Sequence, residues 1–412
     1  MSSNRRNPWR AGVGYGAPAV VGLETNTAVL RALDPLAGRA SLRPLLVVDS
    51  LQVGGAERYV VDLAIALRAS GHRPTVACSE AGPLADELQH ARIPVSTLLG
   101  RLVKRRISPA YAQALRRLVR RGSFDVVHAH VYASEVAAAI ATTGSGVPLV
   151  LTVHTEAPWR APPACAASRW AYARAARVVA VSPAIRRQLE HDFGVPPGRA
   201  SYVPPAIVPA TPAIAPRRRA FMIGRVARLQ PEKGIDVFLR AAARLAPRFQ
   251  QIDFLVVGDG RLRTELEGLS YDLGLEHRVR FLGERLDARA LIGALDVLAV
   301  TSITDGSPLV VLEAMAAGVP VVASAVGGIP HQLRHEAEGL LVRPGDPDAL
   351  AGALARLIQD ERGRRRFGEA ARRRAAREFS HAALVACMDA IYRSVVAPRA
   401  VHAHTPAIQP SL

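Results

Sequence analysis

The chain has 412 residues, 49% of them hydrophobic, and a formal charge of +18. That is enough for two ordinary domains with full cores. Its three cysteines are scattered with no CxxC pair, which argues against a disulfide framework or a zinc site, and no apolar run is long enough to span a membrane.

Residues 1–43 are Gly-, Pro- and Ala-rich without periodicity, and are expected to form a disordered extension. The opening MSSNRRNPWRAG is charged and lacks the apolar centre of a secretory signal, so a cytoplasmic protein is expected. From PLLVVDS onward, apolar runs of four to eight residues alternate with helical stretches. LLVVD is followed by AERYVVDLAIALRASG, and PTVACSE by a helix near 108–121. DVVHAH, ASEVAAAIA, PLVLTVH and ARVVAVS come next, then a helix with Ser182 as N-cap. This alternation predicts βαβ units and a buried parallel sheet over 44–208.

In VPPAIVPATPAIAPRRR the period stops, which predicts a linker over 209–219. A second alternation runs over 220–378, from FMIGRVA through FLVVGDG, VRFLG and DVLAVTS to VPVVAS and GLLVRPG. A last helix over 379–396 is expected to return to the first domain, ahead of a disordered tail at 397–412. The predicted fold is α/β, with two doubly wound Rossmann-like domains facing a central cleft. Ligands of such sheets sit at the carboxyl ends of the strands.

The stretch TDGSPLVVLEAMAAG sits at one such end. Ser307 reads as an N-cap and Pro308 as the first helical residue, with Gly318 as the stop. Free N–H groups at the helix start, from Leu309 and Val310, form an anion site. Asp305 precedes that site and Glu313 lies further along the helix. Acids on both sides of an anion site suit a ligand with hydroxyls flanking a phosphate, as in a nucleotide-sugar.

These residues resemble the E-x7-E signature of retaining glycosyltransferases, with Asp305 in place of the first Glu. DGSPLVVLEAMAAGVPVVASAVGGIP is similar to glycosyltransferase family 4, of GT-B fold, and the resemblance covers roughly residues 45–395. IGRVARLQPEKG resembles the family's donor-phosphate motif, VVGDG its strand end near the nucleotide base, and GGAERYVVDLA its N-terminal Gly-rich loop. The resemblance implies that Arg228 and Lys233 neutralise the diphosphate and that Asp305 contacts the sugar. Glu313 would hold the ribose, and Gly306, Ser307, Gly258, Gly260 and Gly283 would line the donor site. His154 matches a family histidine facing the sugar. The implied activity moves a hexose from a nucleotide-sugar to a hydroxyl of a glycan, glycolipid or lipid-linked acceptor of the cell envelope, with retention and without a metal. The nucleotide-sugar is a co-substrate, and no cofactor is expected. His331 stands where the family often has Glu, and VPPAIVP replaces its usual Asn-Gly stretch.

Further features need separate readings. Gly54 and Gly55 allow close backbone approach to a ligand, but GGAER is not GxGxxG, so a dinucleotide oxidoreductase is unsupported. His128 and His130 share one strand face; His130 is a candidate on the acceptor side, and no third metal ligand is evident nearby. Asp346-Pro-Asp348 is a literal DxD but reads as a helix cap. Residues 101–122 carry many cations and no acid, with Ile107, Tyr111, Leu115, Leu118 and Val119 close to one helical face. Such a helix can lie on an anionic leaflet, here the inner face of the plasma membrane. Two alternatives stay open. One is a GT-B nucleotide-sugar epimerase or hydrolase. The other is a non-catalytic polyanion-binding relative, although the intact Arg228, Lys233 and Glu313 make nucleic acid the less favoured partner.

Overall fold

A computed structural model describes residues 40–103, 106–155, 162–207 and 221–396. The expected linker at 209–219, the tail at 397–412 and all but the last residues of the extension lie outside the described residues. Ala40–Arg43 already belong to the packed chain. Leu42 is buried and its N–H donates to His72 Nδ1 at 3.2 Å, while the Arg43 N–H donates to Asp125 Oδ2 at 2.7 Å.

The first domain runs β1 (Pro44–Ser50), α1 (Gly55–Ala69), β2 (Thr75–Glu80), α2 (Ala85–His90), β3 (Val95–Thr97), α3 (Pro109–Arg121) and β4 (Val126–His130). It continues with α4 (Tyr132–Ala141), β5 (Leu149–Val153), α5 (Pro162–Arg174), β6 (Arg177–Ala180), α6 (Pro183–His191) and β7 (Ala200–Tyr202). The strands form one parallel sheet in the order β3-β2-β1-β4-β5-β6-β7. Every residue of β1, β4 and β5 is buried, the two histidines of β4 included, as in a parallel sheet covered on both faces. Ser182 caps α6 through the Ile185 N–H, as predicted.

The second domain runs β8 (Phe221–Val226), α7 (Ile235–Leu245), β9 (Ile252–Val257), α8 (Arg263–Asp272), β10 (Val279–Phe281), α9 (Ala288–Gly293) and β11 (Val297–Val300). Then come α10 (Leu309–Ala317), β12 (Val321–Ser324), α11 (Ile329–Gln332), β13 (Gly339–Val342), α12 (Pro347–Gln359) and α13 (Glu361–Glu378). Its six-stranded parallel sheet has the order β10-β9-β8-β11-β12-β13. Asp346 Oδ1 accepts the N–H groups of Asp348 and Ala349, so the DxD is a helix cap.

The last helix, α14 (His381–Val395), packs back onto the first domain. Leu384, Val385, Met388 and Tyr392 share a core with α1, and Tyr392 reaches His128 at 2.7 Å. Where the chain crosses between domains, the Ile207 N–H donates to the Phe379 carbonyl at 2.9 Å.

The basic helix α3 corrects one expectation. Tyr111, Leu115 and Val119 are buried in the domain core, and the Tyr111 hydroxyl donates to the Val48 carbonyl at 3.1 Å. The apolar face therefore meets α4 and the sheet rather than a membrane. What faces outward is Arg117, Arg120 and Arg121, with Leu102 and Ile107 exposed just before the helix. Lys104 and Arg105 lie outside the described residues. Among the described residues no helix is long and apolar enough to cross a membrane.

Candidate active site

In both sheets strand order reverses at one place, between β1 and β4 and between β8 and β11. A crevice opens there at the carboxyl ends, because the flanking connections run to opposite faces. Several of the residues singled out in the sequence sit at these two points, whereas Gly258, Gly260 and Gly283 follow β9 and β10, and His154 follows β5. Gly54 and Gly55 follow β1, and His130 ends β4. Arg228 and Lys233 follow β8, and Asp305 follows β11.

In the second domain, Lys233 lies in a 3-10 turn, Pro231–Lys233, and its Nζ donates to Asp305 Oδ2 at 2.6 Å. Ser302 Oγ donates to the same oxygen at 3.1 Å. Lys233 and Asp305, expected to take separate parts of a donor, thus hold each other. Arg228 is exposed and has no side-chain hydrogen bond or ion pair among the described residues. Gly234 ends the turn at φ 58°, and a Cβ there would come within 2.2 Å of the Thr301 carbonyl, so the turn needs glycine on both counts.

Beneath this turn lies a residue the sequence did not single out. Arg225 is 1% exposed. Its Nε donates to Thr301 Oγ1 at 3.1 Å, and its two terminal nitrogens reach the Val226 and Lys233 carbonyls and Ser302 Oγ. Burial pushes its pKa down to about 10, against the pull of Asp305. Arg225 therefore ties the Lys233 turn to the end of β11, one residue away from contact with Asp305.

Helix α10 starts one residue later than predicted. Pro308 is its N-cap, and the Ser307 hydroxyl accepts from Gln332 Nε2 at 2.9 Å instead of capping. Leu309 and Val310, in the first turn, donate no backbone hydrogen bond among the described residues. Gly318 ends the helix at φ 74°. Gly306 sits against the other domain: a Cβ there would be 2.2 Å from the His154 carbonyl. Glu313 accepts from Arg289 Nε at 2.9 Å. Gly258, at φ 127°, donates its N–H to the Gly283 carbonyl at 2.7 Å, and a Cβ on it would strike the Ala227 carbonyl. Gly260 approaches the Leu229 carbonyl in the same way. Gly258 and Gly260 thus have a structural reason, the close packing of the loops after β8 and β9, while Gly283 is held at φ 68°.

In the first domain the imidazoles form one cluster. His128 pairs with Tyr392 and Thr152, each at 2.7 Å, and His130 Nδ1 pairs with His154 Nε2 at 3.1 Å. Tyr59 packs edge-on to His154 at 4.9 Å. The His154 ring is thus turned into its own domain, and its carbonyl is what meets Gly306. The Tyr59 hydroxyl and His130 Nε2 are buried and make no hydrogen bond among the described residues. Tyr59 carries no sequence signal apart from its place on the apolar face of α1. Gly54 is extended and sits under the Glu57 carboxylate, whereas Gly55 has open space around its Cα. Asp49, at the end of β1, accepts from the Ser134 N–H and hydroxyl at 2.9 and 2.7 Å, and burial raises its pKa to about 7. Among the described residues no group of three or more His, Cys, Asp or Glu is arranged to hold a metal ion.

Burial lowers the pKa of His128 and His154 to about 3, and that of His130 well below its usual value. The unfolded chain binds these protons near pH 6.5 and the folded one does not, so their contribution is complete above that pH and is lost as pH falls towards 3. Asp49 runs the other way, losing its contribution as pH rises from about 4 to about 7. Three imidazoles outweigh one carboxyl. The urea midpoint of the first domain is therefore expected to fall between pH 7 and pH 5; a flat or rising profile would contradict neutral, buried imidazoles.

The chain is similar to known proteins over most of its described length. Residues 53–211 match the family model "Glycosyltransferase Family 4" and residues 213–374 match "Glycosyl transferases group 1". A D-inositol 3-phosphate glycosyltransferase of Salinispora arenicola is 33% identical over 352 residues, covering 75% of this chain and 78% of the relative. One from Salinispora tropica is 35% identical over 314 residues, and the chain spans 65% of that relative's length. Among solved structures, Anabaena Alr3699/HepE in complex with UDP-glucose is similar with a TM-score of 0.77 at 25% identity, over 86% of this chain and 100% of that one.

Proposed function

The chain belongs to glycosyltransferase family 4, and on that premise we propose that it transfers a hexose from a UDP-sugar to an acceptor hydroxyl with retention at the anomeric carbon. What supports the reading most is the Lys233–Asp305 pair at the β8/β11 crevice, with Arg228 on the same loop as Lys233 and the first turn of α10 a few residues beyond Asp305. Two cations and a helix N-terminus suit a diphosphate leaving group, which needs charge stabilisation more than a proton. UDP is favoured because the similar Anabaena protein was solved with UDP-glucose.

In this reading the bond from the anomeric carbon to the diphosphate oxygen breaks as Lys233 and Arg228 take up the developing charge. Asp305 steadies the sugar in its oxocarbenium-like state. The acceptor hydroxyl adds on the face the diphosphate leaves, and its proton passes to the departing diphosphate. The acceptor, a glycan hydroxyl or a lipid-linked one, enters from the first domain past Gly54, Gly55 and His130. For a lipid-linked acceptor, the outward arginines of α3 would face an anionic membrane.

The test is calorimetric titration with UDP-, GDP- and ADP-glucose, then NMR of the product anomer with acceptor, and pelleting with phosphatidylserine vesicles. The expected result is one saturable UDP-sugar site and an α-linked product from an α-linked donor. A β-linked product would sink retention. Free sugar or an isomerised nucleotide-sugar as the main product would favour the epimerase or hydrolase reading. No saturable nucleotide-sugar site would sink transfer altogether. Absence of pelleting would remove the membrane part alone.

A further inference from the structure

One guanidinium joins the two domains at the donor side. Arg289, on α9, donates through Nε to Glu313 Oε1 at 2.9 Å and through a terminal nitrogen to Asp62 Oδ2 at 2.5 Å. Asp62 is a buried acid in the apolar run VVDLAIAL of α1, in the first domain. Its other oxygen lies 3.9 Å from Arg58, which itself pairs with Glu87 at 2.5 Å. Glu313 Oε2, by contrast, has no hydrogen bond among the described residues.

A carboxylate buried in an apolar helix is costly unless it is paired. The Asp62 side chain, 5% exposed, is paired across the domain boundary to a cation that is itself anchored on α10. Guanidinium is a rigid planar fork, so the two acids fix its orientation and it fixes theirs. Burial works against the Arg289 cation, but Asp62 and Glu313 prevail and hold its pKa above the usual value. Asp62 stands seven residues into the helix that opens at Gly55, about 10 Å along its axis at ~1.5 Å per residue. The helix that carries the acceptor-side glycines therefore also bears on the donor acid.

We propose that Arg289 is a positioning residue: anchored on Asp62 of the first domain, it aims the free oxygen of Glu313 at the ribose of the donor. This rests on the reading of Glu313 as the ribose-binding acid. It follows that a side chain of the acceptor domain, remote in sequence from the donor site, controls donor affinity. A nucleotide arriving while the domains are docked finds Glu313 already set; parting the domains loosens it.

The test is calorimetric titration of UDP into the full chain, wild type and the variants Arg289→Met, Asp62→Asn, the double variant and Glu313→Gln. Asparagine keeps the size of aspartate and methionine keeps much of the arginine stem, and the thermal midpoint of each variant checks that it is folded. Arg289→Met is expected to weaken UDP binding about tenfold and Asp62→Asn about fivefold. The double variant is expected to bind no worse than Arg289→Met, because the Asp62 effect travels through Arg289. Equal weakening by Asp62→Asn in both backgrounds would mean an unrelated structural effect and would overturn the proposal. Unchanged or tighter UDP binding in Arg289→Met would overturn it too, the latter by showing that the guanidinium competes with ribose for Glu313. If Glu313→Gln leaves UDP affinity unchanged, the donor-acid reading fails first; if it weakens binding while Asp62→Asn does not, only the cross-domain link fails.

Discussion

Replacing Lys233 by alanine is expected to lower kcat/KM for the UDP-sugar by about two to three orders of magnitude, the range found when one pre-aimed charge-stabilising group is removed. Lys233 Nζ spends one donor on Asp305 at 2.6 Å, and the two side chains are only 18% and 11% exposed. An ammonium has three donors, so two remain for a diphosphate. The pair also restrains both partners before the donor arrives, since Ser302 holds the same Asp305 oxygen. Removing Lys233 thus takes a cation from the leaving group and leaves Asp305 without its counter-charge where the sugar is expected. Lys233→Arg is not a conservative rescue, because the broader guanidinium cannot occupy the place of a point charge in a turn fixed by Gly234. The two residues act as a unit, so Lys233→Ala combined with Asp305→Ala should lose little more than the worse single change. Steady-state kinetics across the four proteins decides it. Wild-type kcat/KM in Lys233→Ala would place the diphosphate elsewhere.

The double Rossmann architecture was legible because its signal is local. Strands such as LLVVD and PLVLTV are short, mostly apolar runs between helical stretches, the pattern of a parallel sheet covered on both faces. Asp305 drew notice as an acid between a strand end and a helix start, and Lys233 only through its resemblance to a family motif; the structure pairs the two, which neither signal foretold. Residues whose partners are distant were not legible. Arg225 meets Thr301 across 76 positions, and Arg289 meets Asp62 across 227. As sequence, Asp62 is only an acid in an apolar helix. The α3 face shows a second limit: periodicity reveals that Tyr111, Leu115 and Val119 share a side, but not whether the sheet or a membrane covers it. Ser307 shows a third. A serine before Pro and a helix is a sound capping signal, but Gln332, folded back from α11, uses its hydroxyl first.

Arg225→Met is expected to cost the second domain about 3–5 kcal/mol. Hydrogen bonds from a charged donor contribute about 1.5–3 kcal/mol each, and the four that Arg225 makes share neighbours, so they do not add in full. Methionine fills much of the volume but offers no donor to the Val226 carbonyl or to Thr301 Oγ1. The substitution should also reach the chemistry. Arg225 holds the Lys233 carbonyl from below and Ser302 from the side, and Ser302 in turn holds Asp305. Without the guanidinium, the Lys233 turn and the end of β11 lose their common anchor, although Thr301 still donates to the Lys233 carbonyl at 3.1 Å. A lowered urea midpoint together with weakened UDP binding is therefore expected, with binding measured well below that midpoint. A lowered midpoint with unchanged UDP affinity would make Arg225 a purely structural cation. An unchanged midpoint would mean that methionine packs as well as a buried guanidinium with four hydrogen bonds, as replacements of some buried ion pairs do. Here geometry weighs against that: a carbonyl at the end of β8 and a hydroxyl just past the end of β11 both lose a charged donor, and the Lys233 carbonyl and Ser302 hydroxyl lose one with them.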